Sequence, residues 1–300
     1  MNGWDPGRVK QPSRLHLMMR LIRIEHTLFS LPFAYLGAVL SCPSKLDIWN
    51  TLLIGLAVLG LRTASMAYNN IADLDIDKEN PRTSSRPLVS GIMKLGDAWF
   101  LVVLGSIVYF ASAILLNETA FMLSPILWIL AVTYPHHKRY SPLAHYHLGL
   151  VLGFVVFGGA VAVCPESNPP LIWTLQRVPW TYLIAVTLWV AGFDIPYSIQ
   201  DAGFDRSHGL HSIPAWLGKN MSLWISRLTH LSATILFLIA IPEYHLGIIG
   251  IIGTIASAVI IYSQHYIIYR HNGEMTPVAF NLNLLLGLIL TIAVILDVLL

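Results

Sequence analysis

Long apolar stretches, separated by short polar segments, run through nearly the whole chain. Nine of them approach or reach the length of about 20 residues at which a helix crosses the ~30 Å hydrocarbon core of a bilayer. They cover residues 24–42, 49–68, 98–116, 121–134, 148–164, 180–200, 223–241, 246–269 and 278–300. Because the apolar residues follow one another without strand-like alternation, the pattern predicts membrane-spanning helices rather than strands.

The predicted fold class is therefore all-α, a polytopic membrane protein with nine transmembrane helices around a central cavity. Residues 24–300 form one transmembrane domain. Residues 1–23 form an N-terminal segment whose mixture of Arg with Leu, Ile and Met predicts a position along the cytoplasmic interface. Composition agrees with a membrane protein: 55% of residues are hydrophobic and 11% are charged, against about 25% charged in soluble domains.

The basic residues indicate the orientation of the nine spans. With a cytoplasmic N-terminus, 15 of the 18 Lys and Arg residues fall on the cytoplasmic side, whereas Lys45 and Arg177 fall on the opposite side. Cytoplasmic loops of membrane proteins carry an excess of Lys and Arg. The distribution predicts a multi-pass protein of the cell membrane whose N-terminus is cytoplasmic.

An acidic stretch, NNIADLDIDKENPRTSSRPL, follows the second span directly. Asn69, Asp73 and Asp77 are spaced four apart, so a continuous helix would present them on one face, while Asp75 points away. Like charges this close repel unless a cation or proton intervenes. Oxygen ligands suit Mg²⁺ or Ca²⁺. The alternative interpretation of this segment alone is a solvated helix end with scattered acids.

A second acidic stretch, GFDIPYSIQDAGFDRSHGLHSIP, follows the sixth span. Asp194, Asp201 and Asp205 are spaced seven and four apart, which again places them on one helical face. Pro196 lacks a backbone donor and predicts a kink just before Asp201. Since the second and sixth spans both end on the cytoplasmic side, the two acidic faces are predicted to meet across one cavity with a cytoplasmic mouth.

The chemistry that fits two facing acidic segments is diphosphate binding. Mg²⁺ usually takes one or two carboxylates and completes its shell with phosphate oxygens and water. Two Mg²⁺ ions bridged by a diphosphate, with Lys and Arg as further countercharge, would stabilise the charge that develops on a leaving diphosphate. A membrane setting implies a lipidic substrate, and an isoprenyl diphosphate meets both conditions.

At this point the chain resembles the UbiA superfamily of intramembrane prenyltransferases. The family's first motif, NxxxDxxxD followed by RT and RPL, stands at residues 69–88, and its second, YxxxDxxxD with an upstream Asp, stands at residues 194–205. The family's YPxxKR appears as YPHHKR at residues 134–139. The segments EHTLFSLPFAYLGA and NPRTSSRPL are most similar to the 4-hydroxybenzoate polyprenyltransferase-like branch, which includes the menaquinone enzymes of the futalosine route.

This resemblance implies Mg²⁺-dependent transfer of an isoprenyl group to an aromatic acceptor that carries a hydroxyl and a carboxylate, with release of diphosphate, in quinone biosynthesis. The implied ligands of Mg²⁺ are Asn69, Asp73, Asp77, Asp201 and Asp205. The implied partners of the diphosphate are Lys138, Arg82 and Arg206.

Three further residues are expected at the reacting atoms. Tyr134 and Tyr197 are expected to face the allylic carbon, where an aromatic π-face stabilises carbocation character. Asp194 orients the acceptor hydroxyl, assists loss of the ring proton, or forms a structural hydrogen bond; the sequence leaves these roles open.

Arg62 lies within the second span, seven residues before Asn69 and so on roughly the same face, about 10 Å deeper. An intramembrane Arg faces a cavity or a partner. It either pairs with an acid such as Glu25 or Asp194, or binds the acceptor carboxylate, for which guanidinium geometry is apt. The resemblance favours acceptor binding.

Other functions remain open at this point. Intramembrane acids also mark ion-coupled transporters. The acceptor could be 1,4-dihydroxy-6-naphthoate, or a molecule without a carboxylate such as a glyceryl phosphate lipid. Nucleic-acid motifs are absent from the sequence, the expected partners are the two substrates and membrane lipid, and a disulfide between Cys42 and Cys164 is conceivable.

Overall fold

The computed structural model describes residues 13–23, 27–163 and 171–300, and all regular secondary structure in these ranges is helical. This confirms the predicted all-α class. The helices are α1 (Arg14–Ile22), α2 (Thr27–Ser41), α3 (Ile48–Ala72), α4 (Leu74–Glu79), α5 (Leu95–Leu116), α6 (Glu118–His137), α7 (Ala144–Ala162), α8 (Leu171–Arg177), α9 (Trp180–Tyr197), α10 (Ala202–Ser207), α11 (Ile213–Glu243), α12 (Ile248–Arg270) and α13 (Pro277–Leu299).

Within the described ranges, eight helical segments are long and apolar enough to cross a membrane. The apolar helix α2, with 15 residues, is shorter. With α2 the total is nine, in agreement with the predicted count. Cys164 lies outside the described residues, so the disulfide with Cys42 stays as open as the sequence left it. The interfacial position of residues 1–23 stays a prediction.

The helices that exceed their predicted spans by the most residues are α6 and α11. The fourth span was expected at 121–134, but α6 has 20 residues because Asn117 caps its start, accepting a 2.8 Å hydrogen bond from the Ala120 amide. The seventh was expected at 223–241, but α11 has 31 residues. It contains a break at Gly218, whose φ of 76° is readily adopted by glycine.

Glycines allow neighbouring helices to approach until their backbones touch. A Cβ atom on Gly149 of α7 would lie 2.2 Å from the Thr187 carbonyl oxygen of α9, and one on Gly153 would lie 2.2 Å from the Thr187 hydroxyl. Between α3 and α5, a Cβ on Gly105 would lie 2.6 Å from the Gly60 carbonyl oxygen. Small residues at helix interfaces are the usual means of close packing in membranes.

Aromatic side chains fill the centre of the bundle between α2 and α9. Trp189 is fully buried, and its ring stacks on Phe29 with a centroid separation of 5.3 Å and an interplanar angle of 7°. Phe33 and Phe193 pack on the same indole at 5.4 Å. This cluster is continuous with apolar residues of α7, α11 and α13, so one core joins both halves of the chain.

The short helix α1 is amphipathic, and its apolar side faces the bundle. Leu17, Leu21 and Ile22 are buried in one cluster with residues of α3 and α5. Arg14 at its first position forms an ion pair with Asp97 of α5. The described part of the N-terminal segment therefore packs against the transmembrane domain.

The packing of α7 on α9 gives the first testable prediction. Replacement of Gly149 by Ala places a methyl group against the α9 backbone and is expected to destabilise the protein by about 1–3 kcal/mol, as overpacking does. Thermal unfolding of the purified protein in detergent measures the effect.

The matched control is Gly96→Ala, because a Cβ atom at Gly96 meets nothing within 4 Å. In that variant the melting temperature should be unchanged or slightly raised, since alanine is a better helix former than glycine. Equal melting temperatures for the two variants would contradict the proposed backbone contact.

Candidate functional site

The first acidic segment lies where α3 ends. Asp73 has φ of −97° and ψ of 4° and separates α3 from α4, so the expectation of one continuous helix is wrong. Backbone hydrogen bonds nevertheless join Asp73 to Asn69 at 3.0 Å and Asp77 to Asp73 at 2.7 Å. These bonds keep the spacing of four residues across the break.

The second acidic segment also departs from a continuous helix. α9 ends at Tyr197, and a 3₁₀ turn at Ser198–Asp201 leads into α10. Pro196 precedes this change, as the predicted kink required, because it cannot donate a backbone hydrogen bond. Asp205 accepts a 2.8 Å hydrogen bond from the Ser212 hydroxyl at the start of α11, which fixes the end of the segment.

The structure brings the two acidic segments together through Asp201. Asn80 donates to its Oδ1 at 3.2 Å, and Arg82 donates from Nε to Oδ1 at 2.7 Å and from Nη2 to Oδ2 at 2.5 Å. The Arg82 guanidinium also lies over the Tyr197 ring, 5.8 Å from its centroid. These hydrogen bonds therefore hold the loop after the first acidic segment directly against the second acidic segment.

Basic side chains compensate the carboxylates of the first segment. Lys138, directly after α6, donates to Asp73 Oδ2 at 2.7 Å, and Arg86 forms an ion pair with Asp77. Both Asp side chains are less than a tenth exposed. A buried carboxylate is stable only when it is paired or hydrogen-bonded, so these cations hold the site together.

Arg86 and Arg206 make contacts that the sequence did not indicate. Arg86 was not named as a site residue, although it is the Arg of the RPL triplet in the motif. Arg206 was expected at the diphosphate, and here its Nε donates to the Ala215 carbonyl oxygen of α11 at 3.1 Å. Its predicted role remains a prediction.

One oxygen of Asp73 is available to a ligand. Oδ1 is buried and has no hydrogen-bond partner in the described ranges, whereas Oδ2 accepts from Lys138. Burial raises the pKa of Asp73 above its usual value, the nearby Lys138 charge opposes that rise, and the Asp77 charge adds to it. A divalent cation would satisfy the orphaned oxygen and favour the ionised carboxylate.

The donor set fits Mg²⁺ by its chemistry. Asn69, Asp73, Asp77, Asp201 and Asp205 offer only oxygen ligands, which Mg²⁺ prefers. Among the described residues, no three His, Cys, Asp or Glu side chains are already gathered as a metal site. Lys and Arg side chains compensate three of the carboxylates instead, so a bound cation would exchange partners with them.

An apolar cavity extends away from the acidic segments between α2, α3, α5, α6 and α7. Arg62 and Ser65 line one part of it, and Leu116, Ala120 and Ala162 line the part near the opposite ends of these helices. The predicted acceptor residue Arg62 therefore lies in a cavity whose walls are mostly apolar. Glu25, its alternative partner, lies outside the described residues.

The two predicted aromatic residues have different surroundings. The Tyr134 hydroxyl is 4.0 Å from the Met66 sulfur, and Tyr134 is within electrostatic range of Arg62, Asp73 and Asp194. Tyr197 lies on the other segment, beside Arg82.

Asp194 contacts a residue that sequence reasoning missed. His145, the second residue of α7, approaches Asp194 Oδ2 with its Nδ1 at 2.7 Å. No signal in the chain marks His145, because it belongs to neither acidic motif and its partner is 49 residues away.

Comparisons with known proteins identify relatives of this chain. Residues 30–287 match the model of the UbiA prenyltransferase family. A 4-hydroxybenzoate octaprenyltransferase from Francisella tularensis subsp. mediasiatica is 28% identical over 92% of this chain and 94% of its own length. One of the same name from Aeromonas salmonicida is 29% identical over 85% of both chains.

Solved structures have the same fold. A UbiA homolog from Aeropyrum pernix K1 superposes with a TM-score of 0.87 at 51% identity, covering 92% of this chain and 98% of that one. A homolog from Archaeoglobus fulgidus bound to GPP and Mg²⁺ has a TM-score of 0.69 at 20% identity, covering 94% and 98%. At 20% identity the second comparison supports the fold alone.

The two acids Asp73 and Asp75 provide a matched test of the metal site. Asp73 is buried, whereas Asp75 is mostly exposed and pairs with Arg139 at 3.0 Å, a contact that lowers the pKa of Asp75. With Mg²⁺ and inorganic diphosphate at ten times their dissociation constant, the native protein should gain about 1.4 kcal/mol of stability. Asp73→Asn should lose this gain and Asp75→Asn should keep it.

Thermal unfolding with and without a chelator measures the effect for each protein. An Asp73→Asn variant that is stabilised by Mg²⁺ and diphosphate as strongly as the native protein would exclude Asp73 as a ligand.

Proposed function

Because the chain belongs to the UbiA prenyltransferase family, we propose that it transfers an isoprenyl group from a prenyl diphosphate to an aromatic acceptor of the 4-hydroxybenzoate type. Membership of this family identifies a prenyltransferase rather than an ion-coupled transporter. The observation that carries the proposal is the placement of Arg62 in a mostly apolar cavity, about two helical turns before Asn69 of the first acidic segment.

The acidic end would bind the diphosphate. Asn69, Asp73 and Asp77 would hold one Mg²⁺, and Asp201 and Asp205 a second. When bound, the metal supplies positive charge that stabilises the departing diphosphate.

The basic side chains would exchange their present partners for the negatively charged diphosphate. With Asp73 and Asp201 holding a metal, Lys138 and Arg82 would be free to donate to diphosphate oxygens. Arg206 would join them if its bond to the α11 carbonyl is exchanged for the ligand.

The apolar cavity fits the isoprenyl chain. Its walls are built from Ala, Leu, Val and Phe side chains of five helices, and burial of hydrocarbon there is favourable by about 25 cal/mol per Å². The surrounding membrane lipid allows a longer chain to leave sideways between helices. This arrangement puts the lipid tail in the apolar region and the diphosphate at the polar mouth, which we propose to be cytoplasmic from the distribution of Lys and Arg.

The acceptor would bind where the two regions meet. Arg62 would hold its carboxylate in bidentate fashion, and Tyr134 and Tyr197 would flank the allylic carbon. A ring carbon beside the acceptor hydroxyl forms the new C–C bond as the C–O bond to diphosphate breaks. The ring then loses its proton, for which Asp194 is the proposed acceptor.

The choice of acceptor rests on the carboxylate. The relatives named 4-hydroxybenzoate octaprenyltransferase support hydroxybenzoate, and 1,4-dihydroxy-6-naphthoate carries the same two groups. Either product would serve quinone biosynthesis. An acceptor without a carboxylate would leave Arg62 without the partner proposed for it.

The decisive experiment is diphosphate release by the purified protein in detergent. Geranyl diphosphate and Mg²⁺ are supplied with 4-hydroxybenzoate or 1,4-dihydroxy-6-naphthoate, and each component is omitted in turn. We expect diphosphate and a prenylated aromatic only when all three are present. Absence of product with both acceptors, under conditions where geranyl diphosphate binds, would refute the proposed acceptor class.

Arg62 gives a sharper prediction on the same assay. Arg62→Gln should raise KM for the carboxylated acceptor by roughly 10–100-fold, because a charge-assisted hydrogen bond contributes about 1.5–3 kcal/mol. KM for geranyl diphosphate should change little. Arg139→Gln, which removes an Arg that pairs with exposed Asp75, is the matched control and should leave both constants near their native values. An unchanged acceptor KM in Arg62→Gln would argue against carboxylate binding.

A further inference from the structure

His145 is a buried histidine that contacts the proposed reaction site from the neighbouring helix. Its side chain is 5% exposed, whereas the Asp194 side chain that it contacts is 22% exposed. The carboxylate is therefore partly accessible and the imidazole is not. His145 cannot reach a substrate itself, and any effect that it has on the reaction passes through Asp194.

The position of His145 follows from the packing of α7 on α9. Gly149 and Gly153 lie one and two turns further along α7, where they allow its backbone to touch α9 at Thr187. Asp194 lies about two turns beyond Thr187, so the line of close contact between α7 and α9 continues to the His145–Asp194 contact. The 2.7 Å separation of Nδ1 and Oδ2 is thus fixed by rigid helices rather than by a loop.

The imidazole has partners for either of its protonation states. When Asp194 is ionised, Nδ1 carries the hydrogen and donates to Oδ2. On the other side, Nε2 lies 3.5 Å from the Ser198 hydroxyl, which donates to the Ile195 carbonyl oxygen at 2.8 Å. If His145 gains a second proton, Nε2–H points at a hydroxyl oxygen that can accept it.

We propose that His145 is a positioning residue for proton removal: it holds Asp194 as the ionised group that receives the proton of the prenylated ring carbon. This inference rests on the proposed function. As the C–C bond forms, the C–O bond breaks and diphosphate leaves with its electron pair. The ring C–H electrons then restore aromaticity, and the proton passes to the Asp194 carboxylate, whose orientation the Nδ1–H bond maintains.

Two pairs of histidines elsewhere in the bundle contact each other rather than a carboxylate. His137 and His147 contact each other through their Nδ1 atoms at 2.8 Å, and His230 Nδ1 lies 2.8 Å from His265 Nε2. In both cases the partner is a second imidazole rather than a carboxylate. His147, two residues after His145 on α7, is therefore a suitable control position.

The test compares two conservative amides. In His145→Asn the amide nitrogen replaces Nδ1 and can still donate to Asp194, whereas in His145→Gln it replaces Nε2 and cannot. We expect kcat to fall by about 10–100-fold in His145→Gln, as loss of an orienting partner does, and to stay within about threefold of the native value in His145→Asn. Both variants are polar and of similar size, and thermal unfolding verifies that each is folded.

A ring-deuterated acceptor supplies the readout that a purely structural residue would not move. If proton removal is impaired, His145→Gln should show a larger kinetic isotope effect on product formation than the native enzyme. Binding of geranyl diphosphate with Mg²⁺ should be unchanged, and His147→Gln should behave as the native enzyme does.

The outcomes separate the inference from the function on which it rests. A native enzyme that forms no prenylated aromatic refutes the proposed function, and the inference falls with it. An active native enzyme with equal kcat and isotope effects in His145→Gln and His145→Asn overturns the inference alone. A selective loss in His145→Gln with an increased isotope effect supports it.

Discussion

The polar end of this protein depends on one constraint, which is that each buried carboxylate needs a positively charged side chain beside it. Asp73, Asp77 and Asp201 follow the apolar helices α3 and α9 and form ion pairs with Lys138, Arg86 and Arg82, respectively. Two of those cations, Arg82 and Arg86, belong to the loop after α4. The conformation of that loop is therefore set by its ion pairs with the Asp77 and Asp201 carboxylates. A ligand that binds those carboxylates would also remove the contacts that hold the loop in place.

The packing of the remaining helices keeps these charged side chains together at one end of the bundle. Helices α3 and α9 both end there, although 125 residues separate Ala72 from Tyr197 in the chain. Backbone contacts at glycines hold α3 on α5 and α7 on α9, and the aromatic cluster around Trp189 joins α2 to α9. Rigid seams of this kind place individual side chains with the accuracy that catalysis requires, and loops alone would not.

Much of this could be predicted from the sequence because it depends on local pattern. Apolar length predicts the helices, and the i, i+4 spacing of Asn69, Asp73 and Asp77 predicts the grouping of their oxygens. The break at Asp73 was not predicted, since near-helical hydrogen bonds preserve the same spacing with or without a break, whereas Pro196 predicted the change before Asp201. The partners of Arg86, Arg206 and His145 depend on tertiary packing, and no local pattern encodes them.

The glycine seams also limit how the enzyme could be re-engineered. Where α7 touches α9 and α3 touches α5, no side chain stands between the backbones, so nothing there can be trimmed to create room. New volume for a bulkier acceptor or a longer tail must come from side chains such as Leu116, Leu123 and Leu127 on α5 and α6. The cavity can thus be enlarged where large side chains line it, but not where glycines already bring two helix backbones into contact.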